Sequence, residues 1–152
     1  MPAASDGLGL VLPHTWRPLG PRIVGAILGV GVLVLFVASW YTFPPETRAK
    51  FTLFQLCTIF FLTGLGALCM YALTRSRAVA RREGLTVVNG FRKHQLAWAQ
   101  IVAVRMPPGA PWVTLDLSDG TTLPLMAIQG SDGGRARVAV RQLRALAGEL
   151  SR

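Results

Sequence analysis

Acidic side chains are scarce in this chain: seven Asp and Glu stand against 16 Lys and Arg in 152 residues, a net charge of +9. No two carboxylates form a pair suited to acid–base work, and no Ser, His and Asp combine as a nucleophilic set. Histidine is nearly absent. His14 and His94 are too few for a typical metal centre without Cys or carboxylate neighbours. No glycine-rich phosphate loop follows a strand pattern. Cysteine is limited to Cys57 and Cys69. Twelve positions apart on one helix, they lie about 18 Å apart along its axis, which excludes an intrahelical disulfide. No disulfide framework exists to require an oxidising compartment. These absences argue against an enzyme and against any bound cofactor or metal.

The most consequential absence is local. No charged residue occurs from Ile23 through Pro45, and none from Phe51 through Thr74. Each run is long enough to cross a hydrocarbon core of roughly 30 Å as a helix of about 20 residues. The first run exceeds the apolar core of a secretory signal, about 7–15 residues. It also ends in bulky Ser39-Trp40-Tyr41 rather than a small-residue cleavage site. Residues 75–152 are too few to cover two such helices in a soluble core. Trp40, Tyr41 and Phe43 mark one interface and Tyr71 the other, and Pro44-Pro45 stop the first helix. The short link Thr42–Lys50 makes the two helices an antiparallel hairpin. No Asp, Glu, Lys, Arg or His lies inside either run, and Gln55 is the lone strongly polar side chain. An anchor is expected rather than a conduit. Gly25 and Gly29, with Thr63 and Ala67, are expected to allow close helix approach, within one chain or across a homo-oligomer.

Arg17 and Arg22 precede the first run, and Arg75, Arg77, Arg81 and Arg82 follow the second, against Arg48 and Lys50 between them. The excess of Lys and Arg places both termini in the cytoplasm. Residues 1–21, rich in Gly, Pro and small residues, read as a flexible tail. Residues 22–74 read as the hairpin, with spans at about 22–42 and 51–74. Residues 75–152 read as a soluble module carrying 12 basic and five acidic residues, a balance of +7.

In that module the hydrophobic period becomes two. Leu85 and Val87 alternate with Thr86 and Val88, and Asn89-Gly90 suits a type I′ hairpin. A return strand spans Phe91–Ala97, and Ile101–Met106 follows. Val113, Leu115 and Leu117 alternate with polar neighbours. Ser118-Asp119-Gly120 turns the chain into Thr121–Ala127, where Pro124 marks an edge strand. A short strand at Ala78–Arg82 precedes them. The period then becomes 3.6, with Asp132 as N-cap of a helix from about Gly134 to Leu150 and an apolar stripe of Ala139, Leu143, Leu146 and Leu150. The expected architecture is a two-helix membrane hairpin, then a small barrel or bent antiparallel sheet closed by a terminal helix.

Three segments carry a resemblance: Glu83-Gly84-Leu85-Thr86-Val87-Val88-Asn89-Gly90, Leu96-Ala97-Trp98-Ala99-Gln100-Ile101 and Leu115-Asp116-Leu117-Ser118-Asp119-Gly120. The pattern continues from Ala127-Ile128-Gln129 to Arg141-Gln142-Leu143. With two preceding spans, the chain resembles the bacterial pleckstrin-homology (PH)-domain membrane proteins of actinobacteria. The resemblance implies a non-catalytic module at a bacterial plasma membrane, with seven strands in two nearly orthogonal sheets. Six strands are legible. Eukaryotic relatives bind inositol phosphates on the first strands and their loop, which here reads as Glu83-Gly84.

Two functions are expected of such a module. One is a protein-interaction adaptor or scaffold, with a membrane-protein partner or homo-oligomer. Its surfaces would be the Pro124 edge strand and a helix face of Arg137, Arg141 and Arg144. The alternative is anionic lipid contact through Arg75, Arg77, Arg81, Arg82, Arg92 and Lys93. Trp98 and Trp112 read as core or rim packing. Nucleic acid is not expected, because no stacking aromatics interleave with the arginines.

Overall fold

The computed structural model describes residues 10–151. Two helices form the hairpin: α1 (Gly20–Thr42) and, after the short α2 (Pro45–Ala49), α3 (Leu53–Arg75). Pro44 and Pro45 end the first helix and begin the second, since proline cannot continue a helix but fits its first turn. Gln55 finds its role at the start of α3. Its side chain accepts from Thr52 N–H (3.0 Å) while Thr52 Oγ1 accepts from Gln55 N–H (3.3 Å), a capping box. No residue of α1 or α3 is buried. Leu35 is 68% and Phe54 80% exposed, so the protein supplies no core for these faces. The helices touch through Gly25, where an added Cβ would run into the Met70 side chain, and through Phe36 and Phe60, with ring centroids 5.8 Å apart. Gly29 meets nothing, so the expected Gly25–Gly29 seam is used at one end only.

Seven strands and a terminal helix build the remainder. β1 (His14–Trp16), β2 (Arg77–Arg81), β3 (Gly84–Asn89) and β4 (Arg92–Leu96) form one antiparallel sheet in that order. β5 (Ile101–Arg105), β6 (Trp112–Leu117) and β7 (Thr122–Gln129) form a second. The helix α4 (Gly134–Leu150) packs on β5 and β7 of the second sheet and reaches the first through Gln142 Oε1, which accepts from the Trp16 indole N–H at 3.2 Å. Alternation sets the faces. Ala78, Ala80, Leu85 and Val87 point inward, joined by Val113, Leu115, Leu125 and Ile128 of the second sheet. Leu143 and Leu146 of α4 are fully buried among them. Each such side chain contributes roughly 1.5–3 kcal/mol by burial. Trp98, in a short 3₁₀ turn, packs in this core and donates its indole N–H to Arg81 O at 2.8 Å.

The seventh strand corrects the reading of residues 1–21. His14, Thr15 and Trp16 pair with Ala80, Val79 and Ala78, and Leu10, Trp16 and Pro18 are buried. The described part of that segment is therefore structural. Residues 1–9 of the expected tail lie outside the described residues. The β-rich unit draws on both flanks of the hairpin, and α1, α2 and α3 occupy the connection from β1 to β2. Glu83 thus sits in the Arg82-Glu83 turn between the second and third strands, not the first, and Gly84 already pairs in β3.

Two local expectations are also corrected. The β3–β4 hairpin turns through Gly90 and Phe91, because Asn89 still pairs with Arg92. Only Gly90 has positive φ (+58°), the pattern of a type II′ turn rather than I′. Asn89 stays in the strand because its amide has another task. It donates to Pro124 O and accepts from Met126 N–H (3.1 Å), joining the two sheets. Asp132, for its part, does not cap α4, whose N-cap position is Gly133. Its carboxylate instead accepts from Gly20 N–H (2.7 Å) and Leu19 N–H (3.2 Å), capping α1.

Candidate functional site

The hairpin meets the first sheet at a juncture held by backbone caps. Arg22, in the first turn of α1, donates from Nε (3.3 Å) and Nη2 (3.1 Å) to Thr74 O at the end of α3. Last-turn carbonyls lack helical partners, and a cation satisfies them and the helix dipole together. Ser76, fully buried, donates to Ala72 O (3.3 Å) and accepts from Gly90 N–H (3.1 Å), tying α3 to the β3–β4 turn. Phe91 at that turn faces Tyr71 with centroids 6.4 Å apart, and the Arg75 guanidinium lies 5.9 Å from both rings.

Register divides the six basic residues expected to act together. Arg77 pairs with Val88, and Val88 with Lys93, so Arg77 and Lys93 share a row on the outer face. Arg92 follows the Gly90–Phe91 turn, and Arg75 ends α3. These four lie at the juncture. Arg81 and Arg82 sit at the opposite end of β2, four residues or more beyond Arg77, which is about 13 Å of strand. They do not belong to the cluster. In their place stand Arg17 and Arg22, which sequence reasoning used only for topology. Arg17, Arg22, Arg75 and Arg77, with Tyr71 and Thr74, line one cleft of about 380 Å³. No Asp or Glu is among its lining residues. The signal that could have found Arg17 was the missing strand, since Thr15-Trp16 is a β-favouring pair directly before it.

The two expected partner surfaces are partly spent within the molecule. β7 is an edge strand, as Pro124 suggested, but the Asn89 amide occupies its open side at Pro124 and Met126. On α4, Arg137, Arg141 and Arg144 are all exposed, but Arg144 Nε also donates to Val104 O on β5 at 2.9 Å. Among the described residues no three His, Cys, Asp or Glu side chains gather as a metal site. Nothing in this arrangement points to catalysis.

Comparison with known proteins agrees with this architecture. Uncharacterised proteins of Mycobacterium bovis and Mycobacterium tuberculosis are 28% identical over 151 residues, spanning 96% of this chain and 93% of theirs. No solved structure matches. Residues 75–146 match the family model described as Bacterial PH domain. A bacterial PH-like domain is therefore present at residues 75–146, while β1, the seventh strand, and the last turn of α4 lie outside the matched range.

Proposed function

We propose that this protein is a non-catalytic PH module fixed to the inner face of a bacterial plasma membrane by its hairpin, where its arginine-lined juncture holds anionic phospholipid. The observation that carries the reading is the cleft of Arg17, Arg22, Arg75 and Arg77, with no acid in its lining. It lies where α1 begins and α3 ends, the level at which two apolar spans would leave the hydrocarbon for headgroups. Tyr71, in its lining, is of the aromatic type favoured at that level, and Phe91 packs against the Tyr71 ring. Guanidinium matches phosphate geometry through paired N–H donors. Each basic residue near an anionic leaflet contributes about 1 kcal/mol, a factor of about five in affinity.

The test is lipid retention by the full-length protein extracted in neutral detergent, counted by native mass spectrometry. Phosphatidylglycerol is expected to be retained over phosphatidylcholine. The double substitution Arg75→Gln, Arg77→Gln is expected to weaken that retention about 30-fold, and Arg81→Gln to leave it unchanged. Equal retention of both lipids, or no effect of the double variant, would defeat the reading.

A second reading, a protein-interaction adaptor, is favoured by a different observation: the exposed N-terminal half of α4 forms one wall of a groove of about 630 Å³. Both readings can hold together, because the groove and the cleft share only Arg17.

A further inference from the structure

We infer that the groove between β1 and the first half of α4 receives an acidic peptide in extended form, which adds to the first sheet as a strand alongside β1. The inference rests on the adaptor reading and is independent of lipid contact. Among the described residues β1 pairs only with β2, so its other side presents unpaired backbone groups. All three of its residues line the groove, and the opposite wall is Gly134, Arg135, Val138 and Gln142 of α4. An edge strand facing a helix across a cleft is the geometry of strand addition, in which main-chain bonds give affinity and alternate side-chain pockets give selectivity. The other sheet offers no equivalent: β5 is tied to α4 by Arg144 on Val104 O, and β7 is occupied by Asn89.

Charge selects the occupant. Arg17 and Arg135 stand in the groove, and Arg137 and Arg141 lie on the same helix. The only acid in the lining is Asp132, and both its oxygens are engaged by Leu19 and Gly20 N–H. A carboxylate-bearing segment would therefore meet unopposed guanidinium. Val138, 43% exposed, and the floor of Ala127, Ile128 and Trp16 supply apolar contact between the charges.

The experiment is selection of random 12-residue peptides against the full-length protein in phosphatidylcholine nanodiscs, with empty nanodiscs as background. Enriched peptides are expected to be acidic, alternating in pattern, and to slow amide hydrogen exchange at His14–Trp16. Arg135→Glu with Val138→Glu is expected to weaken them at least tenfold, while Arg75→Gln with Arg77→Gln leaves them unchanged. Lipid retention should respond in the reverse way, so failure of one site is separable from failure of the other. No enrichment over background, enrichment of basic peptides, or affinity indifferent to the groove variant overturns the proposal. Binding that appears only after removal of residues 1–9 also overturns it, because the groove would then belong to this chain's own N-terminal segment.

Discussion

Asp132 stands two residues before α4, yet its carboxylate serves a helix that begins 112 positions earlier. Gly20 makes this possible: a Cβ there would lie 2.9 Å from Ser131 Oγ and 3.1 Å from Asp132 Oδ1, closer than side chains normally approach. Capping oxygens at a helix start are worth about 1 kcal/mol, and an anion also suits the positive end of the dipole. Asp132→Ala is expected to lower the stability of the detergent-solubilised chain by about that amount in denaturant titration. Asp119→Ala, confined to an exposed turn with Thr121, should change it far less. A result in which both cost the same would show that the Asp132 bonds contribute nothing special. His14 gives a pH dependence. Burial beside Trp16 holds its pKa below the ordinary value of 6.5. The unfolded chain therefore takes up a proton at higher pH than the folded one, and stability falls as pH drops from 7 through 6.5 and below. His14→Gln should flatten this slope in melts followed by tryptophan fluorescence. An unchanged slope would assign the acid sensitivity elsewhere.

At the scale of elements, the strands of the β-rich unit were legible wherever alternation ran for several residues, as in β3 and β6. The hairpin helices were legible from missing charge alone. β1 was not, because three residues give no period and its partner Ala78–Ala80 lies beyond both helices. Arg81 was misplaced with Arg77 for a related reason. Sequence proximity groups them, but an extended strand carries them apart, whereas pairing register brings in Lys93. Arg17 and Asp132 were hidden because their roles arise only when β1 and the hairpin are set against the sheet and α4. A construction test follows. Residues 75–152 alone lack Leu10, Trp16 and Pro18 and leave Ala78 and Ala80 without their cover. That fragment is expected to bind hydrophobic dyes and exchange amide hydrogens rapidly in β2. Joining residues 10–18 to 76–151 through a short Gly/Ser linker should restore protection. Trp16→Ala in the full chain is expected to cost about 3–5 kcal/mol, as buried aromatic truncations do. Equal protection with and without β1 would refute its place in the core.

For the whole molecule, insertion of the hairpin between two paired strands has a geometric consequence. β1 and β2 lie side by side, so α1 must leave and α3 must return on the same side of any layer the hairpin crosses, with Glu46, Arg48 and Lys50 on the other. The Asp132 cap, the Arg22–Thr74 bonds and the Ser76 bridge fix both helix ends to the sheet, so the PH unit is held against the layer rather than carried on a linker. Arg17 precedes α1 and Arg22 lies in its first turn, while Arg75 ends α3 and Arg77 follows it, so the side facing the PH unit carries the larger basic excess. On the reading proposed above, that side faces the cytoplasm. Single-cysteine labelling in a chain with Cys57→Ala and Cys69→Ala tests this arrangement. Arg81→Cys and Ser131→Cys should react with a membrane-impermeant maleimide only after the cells are opened, and Glu46→Cys should react in intact cells once the outer layers are permeabilised. The same pattern from Arg81→Cys and Glu46→Cys would place the hairpin flat on one surface and remove the spanning model. Reversed patterns would keep the span and invert the protein, moving its arginine cleft away from the leaflet whose anionic lipid it is proposed to hold.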